Sequence, residues 1–144
     1  MEALNIMRHE SVFNPAAYPY PFHIIGAGAT GSRVFAALVE LGITKISVYD
    51  DDVIESHNLP NQIYTYNDIG QLKVQGCKNH VLAKLGHVPD DMIFRGEKVT
   101  PRMLRHGYLN GGVVFILTDT MDSRRKIFDG LVERASALGD ITPP

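Results

Sequence analysis

Short apolar runs alternate along this chain with longer stretches in which apolar residues recur every three or four positions. The run at residues 22–25 reads as a buried strand, and Val34, Ala37, Leu38 and Leu41 then follow at helical spacing up to a stop at Gly42. Residues 45–49 alternate, with Ile46 and Val48 on one side, and predict a second strand. Asp68 with Gln71 predicts a capped helix start, and Val74, Cys77, Val81, Leu82 and Leu85 supply that helix's stripe before Gly86. Residues 92–99 predict a third strand, interrupted by Gly96. Thr100 and Pro101 predict the cap and first residue of a short helix through Leu109. Residues 112–117 are the most hydrophobic run and predict a central parallel strand buried on both faces. Ile127, Phe128, Leu131, Val132, Ala135 and Leu138 predict a last helix that stops at Gly139. The order βαβαβαβα specifies an α/β fold with a doubly wound, mainly parallel sheet and helices on both faces.

The chemistry gathers where these strands end. The first strand runs into Gly26-Ala27-Gly28-Ala29-Thr30-Gly31, which fits G-x-G-x-x-G between a strand and a helix and marks the sheet as Rossmann-like. Gly26 permits the tight turn, Gly28 lets backbone N–H groups approach a phosphate, and Gly31 leaves room where helix meets sheet. The helix dipole prepares this turn for an anion. Ser32 stands where a Walker A loop needs lysine, which excludes that motif. The second strand ends in Asp50-Asp51-Asp52, and Asp50 lies 19 residues beyond Gly31 (50 − 31), where this fold places a ribose-binding carboxylate. Three adjacent acids, Asp52 among them, are also compatible with Mg²⁺. The connection at residues 53–68 is long and polar, and its Asn58, Asn61 and Gln62 are neutral donors for a phosphate or base. Lys73 opens the second helix against its dipole, on the ligand side of the sheet. Asp119 follows the fourth strand, again at a carboxyl end.

Composition narrows the setting. At 144 residues, 44% hydrophobic and 21% charged, the chain is one globular domain with an arm at residues 1–20 and a nucleotide-binding unit at 21–144. The arm carries Pro15 and Pro19 without sustained periodicity, and is expected to order against a partner or another subunit. A net charge of −2 gives no electrostatic case for nucleic acid or an anionic membrane, and no run approaches a membrane span. The single Cys77 forms no intrachain disulfide and lies on an apolar stripe, reading as a buried inert thiol in a cytoplasmic setting.

Four strings carry a resemblance: G-A-G-A-T-G-S at 26–32, D-D-D-V-I-E-S-H-N-L-P-N-Q at 50–62, I-G-Q-L-K at 69–73, and T-D-T-M-D-S-R at 118–124. Together they resemble the adenylating domain of the ThiF/MoeB/HesA family, relatives of the ubiquitin-activating enzymes. That resemblance implies ATP with Mg²⁺. Asp50 would bind the ribose, and the glycine turn, Asn58, Gln62 and Lys73 would surround the phosphates. Asp119 would organise the metal and, with Lys73, serve catalysis. The implied partner is a small ubiquitin-like or sulfur-carrier protein ending in Gly-Gly, activated as an acyl-adenylate.

The resemblance also has departures. Asn61 stands where the family usually has arginine, and Arg8 and Arg124 are the candidates to replace that charge. No cysteine follows the adenylation strings, so a thioester step has no visible nucleophile. The family pattern continues beyond Ile141-Thr142, which implies a short or truncated member and, through an uncovered sheet edge, a homodimer. Two other readings stay open. An NAD-binding oxidoreductase domain shares the glycine turn and Asp50, and a non-catalytic nucleotide-binding module accommodates Asn61.

Overall fold

The computed structural model describes residues 4–139. Four parallel strands, β1 (Phe22–Ile25), β2 (Ile46–Tyr49), β3 (Ile93–Arg95) and β4 (Val113–Ile116), stand in the order β3-β2-β1-β4. Helices α1 (Ala29–Glu40), α2 (Lys73–Leu85), α3 (Pro101–Arg105) and α4 (Met121–Ala137) alternate with them. The alternating side chains of each strand divide the core in two. Ile24, Ile46 and Val48 pack with Phe35, Val39, Val74 and Val81 of α1 and α2. Ile25 and Tyr49 pack on the other side with Leu104 of α3 and Ile127 of α4. The doubly wound arrangement expected from the element order is the one observed.

Several local readings change. Among the described residues the strand expected at the centre, β4, pairs only with β1 at the end of the sheet, and all four of its residues are half-buried. An apolar run reports covered faces but not a covered flank, and the interior places belong to β1 and β2, both buried along their whole length. On α1, Leu38 of the expected stripe is buried and Val34 and Leu41 pack partly buried against the core, but Ala37 is exposed and Phe35 and Val39 join the buried face instead. On α4, Phe128 is 58% exposed. The Asp68/Gln71 cap is also replaced. Asp68 closes a box with Thr65 around a single 3₁₀ turn, and α2 begins only at Lys73. The third strand contracts to three residues before Gly96, where an added Cβ would lie 2.7 Å from the Leu72 side chain. The helix after Pro101 ends at Arg105, ahead of left-handed Gly107. The arm lies against its own domain: Phe13 and Tyr18 pack on the larger core, and a His9 ring nitrogen lies 3.4 Å from the Leu41 carbonyl oxygen.

One buried polar group sits in the middle of the sheet. His23, on β1 and only 5% exposed, has no hydrogen-bond partner for either ring nitrogen among the described residues. Burial lowers its pKa from the ordinary 6.5, partly offset by the nearby Gly111 backbone. The unfolded chain therefore binds the proton first, and the stability that neutral His23 provides is lost as pH falls below 6.5. His80, also pushed down chiefly by burial, acts in the same direction. The urea midpoint is expected to drop between pH 7.5 and 5.5, with a smaller drop in His23→Leu. Equal drops in the two proteins would remove His23 as the cause.

Candidate functional site

The carboxyl end of β1 turns at Gly26, whose φ of +98° is accessible mainly to glycine. A Cβ there would lie 2.7 Å from the Leu117 carbonyl oxygen. At Gly31 it would lie 1.8 Å from the Gly26 carbonyl oxygen, so α1 crosses the turn at a distance only glycine allows. At Gly28 it would meet only Asp119 Oδ1, at 3.9 Å, which leaves room over the turn. Gly28 is the N-cap of α1 and supplies no side-chain cap, so the helix's first amides are not spent on one.

Asp50 braces this turn from β2. Its Oδ2 accepts from Ala27 N at 2.6 Å and its Oδ1 from Asp52 N at 2.8 Å. Burial raises the carboxyl's pKa, while the two amides and Lys73 pull it back. Each oxygen keeps a further lone pair for a ligand hydroxyl. Beneath the turn, Tyr64 donates from its hydroxyl to the Ala27 carbonyl at 2.6 Å and lies 3.8 Å from Cys77 Sγ. Burial pushes the Cys77 thiol up to about 12, the mark of an inert core group.

Lys73 is 7% exposed and donates to Asp52 Oδ2 at 2.7 Å. Burial opposes its charge, but the Asp52 hydrogen bond and the charges of Asp50, Asp52 and Asp119 outweigh it and raise its pKa. It is a fixed cation at neutral pH.

Two cavities meet here. One, of about 180 Å³, runs from Gly26 and Asp50 to Glu97, Lys98 and Val99. The other, of about 350 Å³, is walled by Ala29, Asn58, Gln62 and Lys73. Gly28, Asp52 and Asp119 line both. Gln62 is 8% exposed, and its Oε1 has no partner among the described residues. The Asn58 side chain accepts from Glu55 N through its Oδ1 at 2.8 Å and closes the loop on itself.

The structure thus brings Gly26, Gly28, Ala29, Asp50, Asp52, Asn58, Gln62, Lys73 and Asp119 to one place. Thr30 and Asn61 are exposed and line neither cavity, and Gly31 lies beneath the turn as a packing contact. Arg8 is exposed and lines neither cavity. Arg124 Nε donates to the Thr118 carbonyl at 2.7 Å, holding the loop that carries Asp119. Glu97, Lys98, Thr118 and Tyr64 went unread in the sequence. Glu97 was findable, because the end of a third parallel strand belongs to the same ligand edge. Tyr64 was not, because its partner is a backbone carbonyl 37 residues away.

Fold and site define a doubly wound α/β domain with a polar cleft across the carboxyl ends of its strands. Residues 21–138 match the ThiF family, and the chain belongs to it. Among curated proteins, it is 44% identical over 59 residues to a probable molybdopterin-synthase adenylyltransferase of Porphyra purpurea, covering 40% of this chain and 15% of that protein. It is 33% identical over 66 residues to the adenylyltransferase and sulfurtransferase UBA4 of Scheffersomyces stipitis, covering 45% and 15%. Its fold is similar to E. coli tRNA N6-threonylcarbamoyladenosine dehydratase, TcdA, with a TM-score of 0.75 and 17% identity over 93% of this chain. The chain spans 56% of that structure's chain, and the segments matching the curated relatives amount to 15% of their length.

Proposed function

We propose that this chain is an ATP-dependent adenylyltransferase domain that activates the C-terminal carboxylate of a small ubiquitin-like or sulfur-carrier protein. The observation that carries this reading is the buried Lys73, paired with the more exposed Asp52, in the cavity wall beyond Gly28 and Asp119. It supplies a held cation where the phosphates of a nucleotide on the glycine turn would lie. The names of the two curated relatives support adenylyl transfer, and TcdA has been solved with ATP and with AMP.

In the reaction a carboxylate oxygen of the partner attacks the α-phosphorus. The new O–P bond forms as the bond from that phosphorus to the bridging oxygen breaks, and pyrophosphate leaves with the electron pair. No proton need move, so the protein's contribution is alignment and charge. The Gly26–Gly31 turn orients the phosphates, Asp50 accepts from the ribose hydroxyls, and Lys73 compensates charge developing toward pyrophosphate.

The donor set also fits Mg²⁺. Asp119 makes no hydrogen bond or ion pair among the described residues and offers hard oxygen ligands to both cavities. Asp50, Asp51 and Asp52 each present an oxygen within 4.8 Å of the others, but Asp50 is engaged by amides and Asp52 by Lys73. Asp119 is therefore the residue to hold the ion, which when bound neutralises phosphate charge.

A cytoplasmic homodimer completes the reading. Its support is the outer flank of β4, which no other strand pairs among the described residues, and the inert, buried Cys77; no helix among those residues is long and apolar enough to cross a membrane. An oxidoreductase would use the turn and Asp50 and leave the Lys73–Asp52 pair without a task.

Calorimetry with ATP plus Mg²⁺, and separately with NAD⁺, tests the proposal. ATP is expected to bind, to require Mg²⁺ and to lose binding in Asp50→Ala, while NAD⁺ stays silent. Binding of NAD⁺ alone would overturn the reading, and ATP binding without pyrophosphate exchange toward Gly-Gly-terminated partners would favour a non-catalytic module.

A further inference from the structure

We propose that Glu97, anchored by Tyr108, selects the base of the bound nucleotide, admitting adenine and rejecting hypoxanthine; this rests on the nucleotide reading above. The sheet order sets the geometry. The glycine turn ends β1, Asp50 follows β2, and Glu97 follows β3, in the succession β1, β2, β3 along one edge. A nucleotide with its phosphates on the turn and its ribose at Asp50 points its base toward β3, roughly 10 Å from β1 at the usual strand spacing. There the cavity wall consists of Tyr49, Glu97, Lys98 and Val99, with Tyr49 and Val99 buried.

Glu97 is positioned rather than free. The Tyr108 hydroxyl donates to its Oε1, and this is its one hydrogen bond among the described residues. The Tyr108 ring is itself held, with its centroid 5.9 Å from that of Tyr49 and the Arg95 guanidinium 5.8 Å away over its face. Fixing one oxygen leaves the other as an acceptor in the cavity wall. An ionised carboxylate can only accept. Opposite the six-position amino group of adenine it gains a charge-assisted hydrogen bond. Opposite the six-position carbonyl of hypoxanthine the same oxygen meets a second acceptor and loses that hydrogen bond. Lys98, exposed beside it, offers a mobile donor that either base can use at its imidazole nitrogen.

The test compares ATP with inosine triphosphate by calorimetry on the full chain. Wild type is expected to prefer ATP by about tenfold or more, the ratio one such hydrogen bond provides. In Glu97→Gln the amide can donate to a carbonyl, and the ratio should fall to within about threefold. Tyr108→Phe keeps the ring and removes only the anchor, so an intermediate ratio is expected. If wild type binds ATP and Glu97→Gln keeps the wild-type ratio, Glu97 does not read the base. If wild type binds neither triphosphate, the nucleotide reading itself falls and this inference with it.

Discussion

Lys73→Ala is expected to lower ATP–pyrophosphate exchange by roughly a hundredfold or more, the usual loss when one fixed group facing transition-state charge is removed. The ammonium sits in the cavity wall at 2.7 Å from Asp52, and several carboxylates hold it charged. The fold should survive. The Asp52 side chain is 57% exposed and can be solvated once its partner is gone, so the ion pair itself contributes about 1 kcal/mol or less. Loss of the buried lysine stem adds a modest packing cost. Lys73→Arg keeps the charge but exchanges a compact ammonium for a planar fork, and should recover only part of the rate. Exchange at the wild-type rate in a folded Lys73→Ala protein would falsify its assignment to the phosphates.

Gly31→Ala should be among the most damaging single methyls in the domain. Its Cβ would be placed 1.8 Å from the Gly26 carbonyl oxygen, a backbone atom that cannot swing aside as a side-chain tip can. Relief requires α1 to lift from β1, disturbing the packing of Ile24 and Phe35, both fully buried. Overpacking of this kind costs about 3 kcal/mol, or roughly 10 °C in melting temperature for a domain of this size. Gly28→Ala is the informative companion. Its Cβ meets only Asp119 Oδ1 at 3.9 Å, so the fold should hold while the approach to a phosphate narrows. The pair separates the two glycines by thermal melts and ATP titration, with Gly31→Ala failing in the first and Gly28→Ala in the second. A Gly31→Ala protein that melts with wild type would refute the close crossing of helix and turn.

These two glycines show why part of the site was legible in advance. G-x-G-x-x-G states a backbone requirement, and backbone requirements are local: the turn, the helix start and the close crossing all fall within six residues. Asp50 was legible for a similar reason, because the length of a helix and a strand fixes how far along the chain the second strand ends. Apart from the family resemblance, Lys73 was legible only as an anomaly, a cation at a helix start. The structure explains it by Asp52, 21 residues earlier, and by a start at Lys73 itself rather than at Asp68. Local capping chemistry at Asp68 was real but served a 3₁₀ turn with Thr65.

Hydrophobic period and turn chemistry determined the element order, the parallel α/β class, the glycine turn and the carboxylate that faces it, since each depends on neighbours along the chain. Tertiary structure decided what depends on neighbours across it. It placed β4 at the flank, because a buried run does not encode lateral order. It turned Asn61 and Thr30 to solvent, because loop residues of equal polarity differ only in which way the backbone carries them. It joined Glu97 to Tyr108, because hydrogen bonds between side chains of separate elements leave no period in the sequence.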